Sequence, residues 1–293
     1  MSHVLVAGAG GHLGRHLVAE LGSRGHRTTA LIRDPAGRDL LEADEVVPID
    51  LLEADPGLLG SAFEEVDAVI SAAGQRCAVA AGADRRRFRQ VDTPINRRLL
   101  KTARDGGVRR FAYVTVLGGT EMRNLEYVAA HEEFVDELKA APVEHTVIRA
   151  NGFFSSYLEL LDAARSGPVP SFSNGSVRSN PVHEADLAAA CVDALEEGRR
   201  EVEVGGPEEL SRLEEIELAF AVLGREPRVR RVPLPLLRAT LPLLRLRDPR
   251  RAAMIEFVAA IAGRDMLAPP HGKRLLRDYL AEHVQEGTPR AAS

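Results

Sequence analysis

The segment Val6-Ala7-Gly8-Ala9-Gly10-Gly11-His12-Leu13-Gly14 sets four glycines where a short apolar run gives way to a helical pattern. That arrangement suits a phosphate. Gly8 permits a tight turn, Gly11 the close approach of backbone to a pyrophosphate, and Gly14 the packing of helix against sheet. A helix N-terminus adds amide donors and a favourable dipole. Gly8, Gly10, Gly11, His12, Leu13 and Gly14 therefore read as a dinucleotide loop. A glycine-rich turn without a ligand is the bland alternative, and the position inside a βαβ unit at the start of the chain argues against it.

Arg33 stands where an acidic residue would grip the ribose of NAD, about twenty residues past the glycines. A guanidinium there pairs with the 2′-phosphate of NADP, which a carboxylate repels. Asp34 follows directly and keeps NAD open, so NADP is the favoured cofactor and NAD the alternative. Asp50 and Leu51 end a later strand and could flank the adenine. Ala72, Ala73 and Gly74 end the next, leaving room for a ribose or nicotinamide.

The elements that hold these residues alternate in type. Strands are predicted at His3–Ala7, Thr28–Ile32, Val46–Ile49, Ala68–Ser71, Phe111–Val116 and Val143–Arg149, with helical patterns between several of them. Such alternation means a doubly wound parallel α/β sheet of the Rossmann type. A helix over Glu184–Leu195 and a strand over Glu201–Val204 would rejoin it. The expected dinucleotide-binding domain comprises 1–151 and 181–205. A smaller, mostly helical substrate cap takes 152–180 and 206–293, with Pro233, Pro235 and Pro242 breaking its helices.

Composition excludes other classes. A net charge of -5 and the absence of Trp disfavour nucleic acid as a partner. No apolar run is long enough to span a bilayer, and the strand pattern begins by residue 3, so a cytoplasmic protein is expected. Cys77 and Cys191 lack metal spacing and read as reduced thiols. His12 and His16 have helical metal spacing but no third ligand, so no metal is expected. Leu234, Leu237, Leu241 and Leu244 recur at helical spacing. Burial within the cap is the preferred reading of them, against a dimer seam or a membrane surface. A monomer or homodimer is expected.

The order of motifs resembles the short-chain dehydrogenase/reductase superfamily, in its atypical NmrA-like branch. The resemblance runs through the glycine loop, Leu31-Ile32-Arg33-Asp34-Pro35, Phe111-Ala112-Tyr113-Val114-Thr115, Thr146–Phe154 and Asn180–Leu187, covering about residues 1–210. It implies an NAD(P) cofactor and a small-molecule substrate held under a C-terminal cap. Family enzymes usually employ a Tyr-x-x-x-Lys pair with a Ser or Thr near the end of the fifth strand. Here the pair reads Tyr127 and His131, the hydroxyl position falls on Val116, and Thr115 one residue earlier is assigned to the cofactor.

Tyr127 and His131 share a helical face with Phe134 and Leu138. A tyrosine can act as the acid beside a group being reduced. Histidine, with a reference pKa of about 6.5, would be part-charged at neutral pH and a weaker substitute for lysine. Plain packing of both rings against the sheet is an equal alternative. Asn151, Phe153, Phe154 and Tyr157 follow the sixth strand, where such a sheet opens its ligand crevice, and are the substrate candidates. The expectation is an NADP-dependent reductase of a small carbonyl or conjugated alkene. A non-catalytic dinucleotide sensor, favoured by the replaced Lys, and an isomerase or lyase are the alternatives.

Overall fold

The computed structural model describes residues 1–75, 79, 85–171 and 175–286. Its strands are β1 (His3–Ala7), β2 (Arg27–Ile32), β3 (Glu45–Pro48), β4 (Ala68–Ser71), β5 (Arg110–Val116), β6 (Glu144–Ala150), β7 (Val169–Ser171), β8 (Arg178–Ser179), β9 (Glu201–Val204), β10 (Leu210–Ser211) and β11 (Val229–Arg231). Its helices are α1 (His12–Ser23), α2 (Pro56–Ser61), α3 (Phe88–Asp105), α4 (Glu126–Ala140), α5 (Leu158–Ser166), α6 (Glu184–Glu196), α7 (Arg212–Val222), α8 (Leu234–Arg247), α9 (Pro249–Ile261) and α10 (Leu276–Glu286). The chain divides into two compact units. One holds Met1–Arg76, Arg86–Ala150 and Glu184–Val204; the other holds Cys77–Arg85, Asn151–His183 and Gly205–Ser293.

The first unit is a seven-stranded, wholly parallel sheet in the order β3-β2-β1-β4-β5-β6-β9, the expected doubly wound Rossmann architecture. β1 is buried at all five positions, which is why Val4–Ala7 is a continuous apolar run rather than an alternating one, and buried His3 is hydrogen-bonded to Thr29. Leu13, Leu17, Val18 and Leu21 form the buried face of α1. On another layer, Phe111 and Tyr113 of β5 pack with Leu99 of α3 and with Phe134 and Leu138 of α4. The strand order reverses between β1 and β4, whose carboxyl ends therefore frame a crevice.

A buried ion pair fastens α4 to this sheet. Arg149, near the end of β6, meets Glu132 of α4 through both nitrogens at 2.6 and 3.3 Å, and Glu201 of β9 at 2.5 Å. Arg149 and Glu132 are 3% and 1% exposed, so neither charge has water to fall back on. A Cβ on Gly119 would strike both groups, and the loop after β5 passes them only because that residue has none.

The second unit carries two small two-stranded sheets, β10 with β8 and β11 with β7. Phe154, Tyr157 and Leu161 pack with Leu276 and Leu280 of α10. Pro233 caps α8 and Pro235 sits in its first turn, where no intrahelical donor is lost. Pro242 lies inside α8, which continues through it, so the predicted break does not occur. α3 likewise continues through Pro94. Of the two cysteines, Cys191 is a buried free thiol, and Cys77 lies outside the described residues.

Removing one partner of the Arg149–Glu132 pair leaves the other to a more exposed partner, Glu132 to Arg123 at 3.1 Å and Arg149 to Glu201. Arg149→Met is expected to lower unfolding free energy by about 1–3 kcal/mol, since Arg123 still faces Glu132, whereas adding Glu132→Leu should recover most of that loss. Urea titrations of the single and double variants measure both.

Candidate functional site

The glycine loop bends sharply at the end of β1. Gly8 holds φ +80°, and a Cβ there would also press on the backbone of Ala72 after β4 at 2.8 Å. Gly14 is the tightest position, since its Cβ would drive into the Gly8 carbonyl and the Ala9 backbone. Gly11 differs from both. It has an ordinary φ of -75° and is exposed, and its Cβ would meet only the Gly8 oxygen at 3.2 Å. Side chains are thus excluded at Gly8 and Gly14 by the fold, whereas a Cβ at Gly11 asks only a small shift of the Gly8 carbonyl and one at Gly10 meets Ile32 in ordinary contact.

The surrounding donors fit a dinucleotide. Gly11 offers α1 no side-chain cap, and no acidic residue stands in its first turn, so the helix N-terminus faces no carboxylate of its own. His12 is exposed and Leu13 buried beneath the turn. The Ala9 amide donates to Leu31 O at 3.1 Å, and a Cβ on Gly10 would lie 3.6 Å from Ile32, so the loop rests on the end of β2.

Arg33 follows there, exposed and without an ion-pair partner among the described residues. Asp34 is engaged otherwise: its carboxylate accepts from the Ala36 amide at 3.0 Å and caps the next short turn. Asp50 is exposed and accepts from the Leu52 amide at 2.9 Å, with Leu51 buried beside it. Ile49 donates to Ile32 O at 2.7 Å, which sets Asp50 next to the end of β2.

Beyond β4, Ala73 and Gly74 rest on α3. Asn96 donates to Ala73 O at 3.1 Å and accepts from Ser71 at 2.5 Å. Asp92, one turn earlier, accepts from the Gln75 amide at 2.8 Å, and its carboxylate lies 3.2 Å from a Cβ on Gly74. Asp92 and Asn96 are not among the site residues the sequence suggests, whereas Ser71 closes the predicted strand Ala68–Ser71. The signal was the i, i+4 spacing of Asp92 and Asn96 on the otherwise apolar face that holds Val91, Leu99 and Ala103.

α4 carries the proposed acid. Tyr127 is buried in its first turn, edge-on to Phe88 at 4.8 Å and to His131 at 4.9 Å. His131 Nδ1 shares a hydrogen bond with the Tyr113 hydroxyl at 2.6 Å, so its polar partner is Tyr113 of β5. The other nitrogen, Nε2, has no hydrogen-bond partner among the described residues and lies 3.8 Å from Asp92 Oδ2. Burial pulls the His131 pKa down to about 4. The nearby carboxylate opposes that shift but stands beyond hydrogen-bond reach, and desolvation outweighs it. His131 is therefore neutral at physiological pH, which corrects the expectation of a part-charged ring. Burial, with the charges of Asp92 and Glu132, pushes the Tyr113 phenol well up. By strand alternation Thr115 shares the face of Tyr113; it is buried, and its hydroxyl has no partner among the described residues.

The four substrate candidates belong to the second unit. Asn151 is buried and donates to Asn180 and to Met266 O, both at 2.7 Å. Phe154 is in the core and stacks with His183 and Tyr279. Tyr157 donates to Glu215 at 2.8 Å, a carboxylate that also accepts from Ser179 and Arg212. Asn151 and Tyr157 thus have their polar groups taken by internal partners, and Phe153 alone of the four is half-buried.

Two predictions follow from this geometry. Gly11→Leu should fold normally, its φ being open to any residue, yet lose dinucleotide affinity in calorimetry. Because His131 takes up its proton near pH 4 when folded and near 6.5 when unfolded, it opposes folding in acid. Stability should be full above about pH 6.5 and fall by roughly 3 kcal/mol as pH drops toward 4. His131→Gln, followed by urea unfolding against pH, should flatten that fall.

The model of a family described as NAD(P)H-binding matches residues 8–198. The divinyl chlorophyllide a 8-vinyl-reductase of Zea mays is 31% identical over 261 residues, which are 82% of this chain and 64% of the maize protein. The chain thus spans under two thirds of that relative. The structure of an NADPH-dependent quinone oxidoreductase from Escherichia coli complexed with NADPH superposes with a TM-score of 0.67 at 18% identity, covering 97% of this chain and 99% of the other. AtPrR2 with NADP+ and (+)pinoresinol superposes at 0.72 with 21% identity, covering 96% and 98%. These likenesses show the fold, and the family match shows the membership. The chain belongs to the NAD(P)H-binding family, in the NmrA-like branch of the atypical short-chain dehydrogenases/reductases.

Proposed function

We propose that this chain is an NADPH-dependent reductase of a small organic molecule, acting on a carbonyl or a conjugated alkene. The observation that carries the reading lies at the end of β2. Arg33 is exposed and unpaired among the described residues, while the adjacent Asp34 carboxylate is turned into a backbone cap. A 2′-phosphate would meet a guanidinium there, with the adjacent carboxylate held toward the Ala36 amide. Two similar proteins are, by name, a vinyl reductase and a quinone oxidoreductase, and their reactions fit the substrate class.

Each residue then has a task. The glycine loop and the α1 terminus bind pyrophosphate, and Arg33 selects the phosphorylated ribose. NADPH, when bound, supplies hydride from its nicotinamide ring. Tyr127 donates the accompanying proton from its phenol, and the phenolate regains one from water. His131 carries no fixed charge, so it positions Tyr127 by edge-on packing and does not acidify it. That neutrality favours a second reading, a dinucleotide sensor without turnover, because the charge that activates the family's tyrosine is missing.

Arg33→Ala should weaken NADPH by about 1.5–3 kcal/mol and leave NADH nearly unchanged, as calorimetry would show. Equal losses for the two would remove Arg33 from the site. Tyr127→Phe should lower turnover by about 10²–10⁴ with NADPH affinity intact, measured as NADPH oxidation over a panel of quinones, enones and aldehydes. Tight NADPH binding with no oxidation on any of them would put the sensor ahead.

A further inference from the structure

α8 has two apolar faces, and only one is covered. Leu241 is buried, Leu237 and Leu244 are half-buried, and the side chain of Leu234 lies outside those described. This is the face that its leucine spacing predicted. On the other side, Ala239, Pro242, Leu243 and Leu246 are all exposed, Leu243 by 58% and Leu246 by 84%. Their spacing of i, i+3, i+4 and i+7 makes one continuous stripe. A soluble helix normally sets polar residues there.

The sequence leading into and through this helix carries one sign of charge. Between Glu226 and Asp248 the sequence holds six arginines and no acidic residue. Arg228, Arg230 and Arg231 are exposed along β11, and Arg247 is exposed beside Leu246. None of these four has a carboxylate partner among the described residues, whereas Arg245 pairs with Glu256. A second copy of the chain fits poorly, since a two-fold contact would bring like charges together. Spanning is excluded for this element, because no described helix is long and apolar enough to cross a membrane. A helix of 14 residues with an exposed apolar stripe, set in an arginine-rich segment and ending on exposed Arg247, suits the plane of a bilayer interface.

We propose that the exposed face of α8 docks on an anionic lipid surface. Leu243 and Leu246 enter the boundary between headgroups and acyl chains, and the arginines meet lipid phosphates. The surface is independent of the dinucleotide site, so it stands or falls apart from the proposed activity.

The test is co-sedimentation of the full chain with phosphatidylcholine vesicles, with and without phosphatidylglycerol, beside light scattering in the absence of lipid. Binding is expected only to the anionic vesicles, and should weaken as salt rises. Leu243→Ser/Leu246→Ser should weaken it about tenfold or more, and Arg228→Gln/Arg230→Gln/Arg231→Gln should weaken it as well. Unchanged circular dichroism and NADPH affinity would show that both variants fold. Four results would each overturn the proposal: no sedimentation, equal binding to neutral vesicles, binding indifferent to the leucine changes, or a lipid-free dimer that those changes dissociate.

Discussion

Backbone meets backbone where α1 leaves β1, because Gly14 lies against the Gly8 carbonyl with no room for a Cβ. That closeness aims the N-terminus of α1 at the crevice between the ends of β1 and β4. It also brings Gly8 against Ala72, so the turn is held by two strands at once. An overpacked side chain at either glycine would push the helix away and typically cost about 1–3 kcal/mol, or more where backbone must move. The phosphate-binding geometry is therefore a property of the core. Gly10 and Gly11, where the core sets no such block, are left to serve a ligand.

A second constraint acts on the other layer. Arg149 and Glu132 anchor α4 to β6 through charges that neither can expose to water, and this sets where Tyr127 and His131 lie. Close by, the Tyr113 hydroxyl takes one nitrogen of His131. Such a ring is well placed and electrically silent. In the proposed reaction Tyr127 has a neutral ring beside it and no fixed cation to lower its pKa, which is the tension between the enzyme and the sensor.

Local pattern made much of this legible. The glycine loop, the buried run of β1 and the apolar face of α1 are set by patterns of a few residues, and the parallel pairing of the sheet follows from the alternation of strands and helices. The prediction of β3 slipped by one residue at each end, as strand limits do where a polar connection adjoins. Long-range polar pairs were not legible. Arg149 and Glu132 are 17 residues apart and Asn96 and Ser71 are 25 apart, and each pair meets only once the sheet has assembled. The neutrality of His131 was hidden for the same reason, since burial is not a property of spacing. Tyr157 and Asn151 read as ligand contacts because they follow a sheet strand, yet their polar atoms are committed to Glu215, Asn180 and the Met266 carbonyl.

The central claim is that the turn between β1 and α1, with Arg33 beside it, holds NADPH. Hydrogen–deuterium exchange of the full chain, with and without saturating NADPH or NADH, tests it most directly. The account predicts that NADPH slows exchange in the peptides spanning Gly8–Leu13 and Arg33–Ala36, and that NADH protects the first but not the second. Unchanged exchange at Gly8–Leu13 with NADPH bound would contradict it.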